Sequence, residues 1–116
     1  MTPTPPPPMP DWIVHASDGT VRRLWDYRQR SHLVLLNDPK AEASERRRWS
    51  EAIASDRKRW DWLQVSFLVA DRVPQAEAPG AYLIDRYGRL LAHYAPGQWT
   101  FDDIEREFLY HEARHC

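Results

Sequence analysis

Cysteine is nearly absent. The 116-residue chain holds a single one, Cys116, at its last position. That count excludes an intramolecular disulfide, a CxxC redox pair and any structural zinc site that needs two or more thiolates. Long hydrophobic runs are missing as well: none approaches the roughly 18 residues of a membrane-spanning helix, so no membrane span is expected. Net charge is also small. Sixteen Lys+Arg oppose seventeen Asp+Glu for a formal charge of -1, which leaves no global basic field to hold a polyanion by counterion release; nucleic acid is not an expected partner. The N-terminus has no charged start, apolar core and small-residue cleavage site of a signal peptide, so the default expectation is a cytoplasmic protein. What remains, 42% hydrophobic and 28% charged residues, is the composition of a soluble globular domain with one modest core. Six tryptophans mark an aromatic-rich core or a surface that meets a partner.

Residues 1–10 hold Pro3, Pro5 to Pro8 and Pro10, a tract that favours extended polyproline II and reads as a tail or linker. A single domain is expected over residues 11–116. Two β-prone stretches, Trp12-Ile13-Val14-His15 and Thr20-Val21-Arg22-Arg23-Leu24, flank a Ser17-Asp18-Gly19 turn and predict a hairpin. Ser31 to Leu36 is a nearly continuous apolar run, as in a strand buried on both faces with helices on both sides of its sheet. Asp38-Pro39 ends it. Trp49, Ala52, Ile53 and Trp60 recur at helical spacing and predict one long amphipathic helix from Ala41 to Trp60, with its basic residues paired against acids on a solvated face. Trp62 to Ala70 reads as a strand. Ala81 to Asp85 and Arg89 to Tyr94 form a hairpin around Gly88, and Thr100 with Asp103 predicts a capping box opening a C-terminal helix, stapled by Trp99 and Ile104.

This order resembles the thioredoxin-like superfamily. Pro79-Gly80-Ala81-Tyr82-Leu83-Ile84-Asp85-Arg86-Tyr87-Gly88-Arg89 is similar to the P-x-x-[FY]-L-I-D-x-x-G-x segment of its peroxiredoxin and thiol-disulfide oxidoreductase families. Asp18-Gly19-Thr20-Val21 with Leu24 to Arg28 is similar to their entry segment. The resemblance implies an α/β fold with a central mixed sheet, an N-terminal hairpin, one long helix after the first core strand and a C-terminal helix. It also implies that Pro79 is the family's cis-proline, facing the active-site thiols. Those thiols are missing. Pro39 fits the family's proline, but Ala43 stands at its hydroxyl position and Arg46 at that of the peroxidatic cysteine. An arginine is the electrostatic opposite of a thiolate at a helix N-terminus. Only eight residues, 71–78, join the next strand to Pro79 where the family has a helix, so a sheet face is expected to be partly open.

The expected function is therefore a non-catalytic binding or assembly module with a protein partner and no cofactor. Its candidate surface is the old active-site edge: Asp38, Pro39, Lys40 and Arg46 with Ala78, Pro79 and Gly80. Trp12, Trp25 and Trp62 are further candidates for a partner surface. One rival is a residual thiol peroxidase or reductase acting through Cys116 or a partner's thiol. The other is metal binding. His111-Glu112-Ala113-Arg114-His115 is a literal H-E-x-x-H on a predicted helix, a spacing that places two imidazoles on one face for zinc. His111, His115 and Cys116 are the candidate ligands, weighed against a solvated helix terminus, which is the preferred reading. The oligomeric state is left open.

Overall fold

The computed structural model describes residues 8–114. Strands β1 (Ile13–Ala16) and β2 (Val21–Arg23) form the expected hairpin, with Gly19 at φ +89° in the turn. A 3-10 turn, Leu24–Tyr27, leads into β3 (His32–Asn37). Helices α1 (Ala43–Ser55) and α2 (Arg57–Leu63) carry the chain over to β4 (Val65–Arg72). The hairpin β5 (Gly80–Ile84) and β6 (Leu90–Tyr94) precedes α3 (Phe101–Arg114). The six strands make one mixed sheet in the order β2-β1-β4-β3-β5-β6, with β3 and β4 parallel and the other pairs antiparallel. This is the thioredoxin-like α/β arrangement expected from the sequence.

All six residues of β3 are buried, because both faces of this central strand are covered. Val34 and Leu36 point to the helical face, where Trp60, Leu63, Ile104 and Phe108 pack with Val65, Ala81 and Leu83. Leu33 and Leu35 point the other way. There the expectation of helices on both sides is corrected: Leu24, Val73 and Tyr82, with Met9, Trp12, Tyr27 and Ala76, close the second face. Large side chains on a 3-10 turn and on the 73–79 connection cover a small sheet well enough that no second helical layer is needed.

Two boundaries differ from the sequence expectation. The single long helix breaks at Asp56, whose backbone (φ -104°, ψ 27°) leaves the helical region, so α2 can turn Trp60 and Leu63 into the core. Trp62 to Gln64 belong to the end of that helix and not to β4. Spacing of three between Trp60 and Leu63 buries both and leaves Trp62 77% exposed, whereas alternation in a strand would have buried Trp62. Gln64 then takes a left-handed conformation that stops α2.

The start of α3 is as expected. The Thr100 N–H donates to Asp103 Oδ2 at 2.9 Å and the Asp103 N–H to Thr100 Oγ1 at 3.1 Å. Each satisfies an amide that the helix leaves without an intrahelical acceptor. Thr100→Ala is expected to destabilise the domain by about 1 kcal/mol in chemical denaturation, with Thr100→Ser close to wild type.

Candidate functional site

At the C-terminal end of β3 the sheet opens into a cleft of about 570 Å³. Asn37, the last residue of β3, is 4% exposed and pairs with Ala70 of β4 on one side and Gly80 of β5 on the other. The chain then turns sharply. Asp38 Oδ1 accepts the Lys40 N–H at 3.1 Å and the Asp38 carbonyl accepts the Ala41 N–H at 3.1 Å, an Asx turn that sets Pro39 and Lys40 on the cleft wall. Pro79 faces them from the β4–β5 connection, with Arg72, Val73, Ala76, Glu77 and Pro96 completing the lining.

The opposite wall is held by two hydrogen bonds, one ring stack and a glycine. The Tyr82 hydroxyl donates to the Ala78 carbonyl, His93 Nε2 donates to the Pro79 carbonyl at 2.9 Å, and the His93 ring stacks on Tyr82 at 4.3 Å. Gly80 begins β5 at φ +136°; a Cβ there would fall on the Tyr94 carbonyl oxygen and against the His93 ring. Pro79 follows a trans peptide, as do all the described residues, which corrects the cis-proline implied by the resemblance.

Of the candidate residues, Asp38, Pro39, Lys40 and Pro79 line this cleft, and Gly80 abuts it beside Asn37. Arg46 does not. It is the fourth residue of α1, where the macrodipole is weakest among first-turn positions. Its Nη1 donates to Asp71 Oδ1 at 2.6 Å and its Nη2 to the Asp38 carbonyl at 3.2 Å. The side chain is 17% exposed, so Arg46 ties the β3–α1 turn to the end of β4 from behind the cleft. Among the described residues no sulfur lines the cleft, and its walls are apolar with charges of both signs: Asp38 and Glu77 against Lys40 and Arg72.

Within the H-E-x-x-H segment His111 and Glu112 are packed against the sheet, which corrects the solvated-terminus reading for those two residues. Glu112 Oε1 lies 2.6 Å from Nε2 of His32 and 3.1 Å from Nη2 of Arg86. His32 is 1% exposed. The Arg86 N–H donates to its Nδ1 at 3.1 Å, so the proton sits on Nε2 and is donated to Glu112. Phe108 stacks on the ring at 5.0 Å, and His111, 3.9 Å from Asp85, meets it edge-on at 5.7 Å. Burial holds the His32 imidazole below its usual pKa, and the hydrogen bond from His32 holds Glu112 below the usual carboxylate range. Among the described residues no three metal-ligating side chains come together; His115 and Cys116 lie outside them. Sequence reasoning passed over His32, and the signal was there: a histidine opening an otherwise apolar run needs a partner for each ring nitrogen.

No protein-family model matches the sequence, and no curated protein resembles it significantly. No helix among the described residues is long and apolar enough to cross a membrane. The fold is similar to the crystal structure of the pneumococcal exposed lipoprotein thioredoxin from Streptococcus pneumoniae strain TIGR4, at 16% identity and a TM-score of 0.50, covering 87% of this chain and 99% of that one. At that identity the likeness shows the fold alone, and the fold is thioredoxin-like.

Proposed function

We propose that this chain is a redoxin-type binding module that has given up thiol catalysis, and that its partner is a protein seated in the cleft at the end of β3. The observation that carries this reading is the cleft's own lining: Asp38, Pro39, Lys40 and Pro79 stand where open α/β sheets place their ligands, beyond the carboxyl ends of the strands, and none of the lining groups is a nucleophilic sulfur. Thiol chemistry requires a thiolate at the helix start; here that region offers Ala43, Ser44 and Arg46, and the guanidinium is already committed to Asp71. Apolar walls supply contact area, while Lys40 and Arg72 opposite Asp38 and Glu77 fix the orientation of what binds.

The test is co-purification of the untagged protein with its partner. Lys40→Glu combined with Arg72→Glu is expected to lose the partner, and Arg22→Glu, on the exposed strand β2, to keep it. Thiol peroxidase and disulfide reductase assays run in parallel are expected to give the same blank for wild type and Cys116→Ser. Turnover that disappears in Cys116→Ser overturns the proposal in favour of an enzyme.

A further inference from the structure

Helix α1 buries none of its 13 residues completely, and the strand beside it is partly bare. Val65, Phe67 and Val69 of β4 alternate onto the helical face, yet Phe67 and Val69 are only half-buried. They floor a hollow of about 320 Å³ walled by Ile53, Ala54 and Trp60. A second hollow of about 360 Å³, lined by Arg46, Arg47 and Asp71, meets the first at Ser50. The two make one groove along α1.

The groove is apolar below and cationic above. Arg46 is paired with Asp71 at 2.6 Å and Arg57 with Asp61 at 3.6 Å, whereas Arg47 is exposed and makes no ion pair among the described residues. Along the groove itself Arg46, Arg47 and Arg57 oppose Asp61 and Asp71, a net charge of +1 in which Arg47 is the cation left over. Trp60 lines one wall, and its buried indole Nε1–H finds no acceptor among the described residues.

We propose that this groove docks an acidic amphipathic helix of a partner protein, at a surface separate from the cleft. The half-covered floor suits an apolar stripe spaced at three and four residues, and the cationic rim suits carboxylates flanking that stripe. Helix α1 is about 20 Å long at 1.5 Å per residue, which matches an occupant of three to four turns.

The probe is a fluorescein-labelled synthetic helix of about 15 residues, with leucine on one face and glutamate on its flanks, titrated against the full chain by fluorescence anisotropy. Saturable binding with a Kd of about 10 μM is expected. It should weaken at least about tenfold in Arg47→Glu, in Ala54→Glu, and for the same peptide with lysine replacing glutamate. Circular dichroism of the two variants, both at exposed positions, checks that the fold is kept, and Arg22→Glu should bind as wild type does. No saturation by about 1 mM peptide, equal binding of the acidic and basic peptides, or indifference to Ala54→Glu overturns the proposal. So does concentration-dependent dimerisation of the chain alone that Ala54→Glu abolishes, because a second copy would then be the occupant. Loss of cleft binding in Lys40→Glu with Arg72→Glu bears on the other surface, so the two readings fail separately.

Discussion

Gly80→Ala is expected to destabilise the domain by about 3 kcal/mol and lower its unfolding midpoint by about 12 °C. Two causes act at one atom. At φ +136° the backbone occupies a region that residues with a Cβ rarely enter, and the added methyl would fall on the Tyr94 carbonyl oxygen of the paired strand β6. That oxygen is backbone held in a sheet, so it cannot swing aside as a flexible side chain would. Either β5 and β6 separate at this end, or Gly80 changes its φ and moves Pro79, whose carbonyl accepts from His93. Gly97→Ala is the control. Gly97 also has a positive φ, +74°, but nothing lies within 4 Å of its Cβ position, so that variant should cost only about 1 kcal/mol. Calorimetry on both separates the clash from the conformational term, and a loss in Gly80→Ala no larger than in Gly97→Ala would refute the steric part. Since Gly80 also abuts the cleft, the same variant should weaken partner binding even at temperatures where it is fully folded.

What could be read ahead of the structure was local chemistry. Asp18-Gly19, Gly88 and the Thr100–Asp103 pair specify their turns and cap within a few residues, and each lies where the sequence puts it. The order of strands and helices followed because the apolar runs around Leu33, Leu68 and Leu83 are long enough to mark a central sheet. The residues at the mouth of the cleft were legible for the same reason: Asp38-Pro39 and Pro79-Gly80 end or begin strands that the sheet brings side by side. Contacts between distant segments were not legible. The break at Asp56 has no local breaker, glycine or proline, and arises from the need to aim Trp60 and Leu63 at the sheet. Arg46 looked like a substitute for a lost nucleophile, but its position is explained by Asp71, 25 residues away. The closure of the second sheet face by Met9, Trp12, Tyr27 and Ala76 depends on four separate segments converging. Glu112 drew attention for its spacing to two histidines, while its partner is a third histidine 80 residues away.

That pair is expected to make the stability of the fold fall with acid. In the unfolded chain an imidazole takes up a proton near pH 6.5. In the folded domain His32 resists protonation, because it is buried and the Arg86 guanidinium lies close; the hydrogen bond and the charge of Glu112, and the charge of Asp85, pull the other way without cancelling the shift. His111 on α3 and Arg86 beyond β5 are also packed against it. A folded pKa below the unfolded one means that the unfolded chain binds more protons, so stability is intact above about pH 6.5 and is lost as pH falls from there towards the folded value. Each unit of that separation corresponds to about 1.4 kcal/mol. Glu112 acts in the same direction lower down: its carboxyl is held below its usual value chiefly by the His32 hydrogen bond, so its contribution drains away as pH falls below about 4.5. Half-exposed to water, it contributes less than His32. His32→Phe removes the titration and keeps much of the stacking on Phe108, at the expense of an unpaired Arg86 N–H, so it should be about 2 kcal/mol less stable than wild type at pH 7.5. The difference between the two proteins should then narrow as pH falls below about 6.5, because only the wild type loses stability through His32 there. Urea denaturation at half-unit pH steps measures it. A difference that stays constant across the range would show that His32 titrates equally in both states, and the buried imidazole would then be a packing element with no part in the acid response.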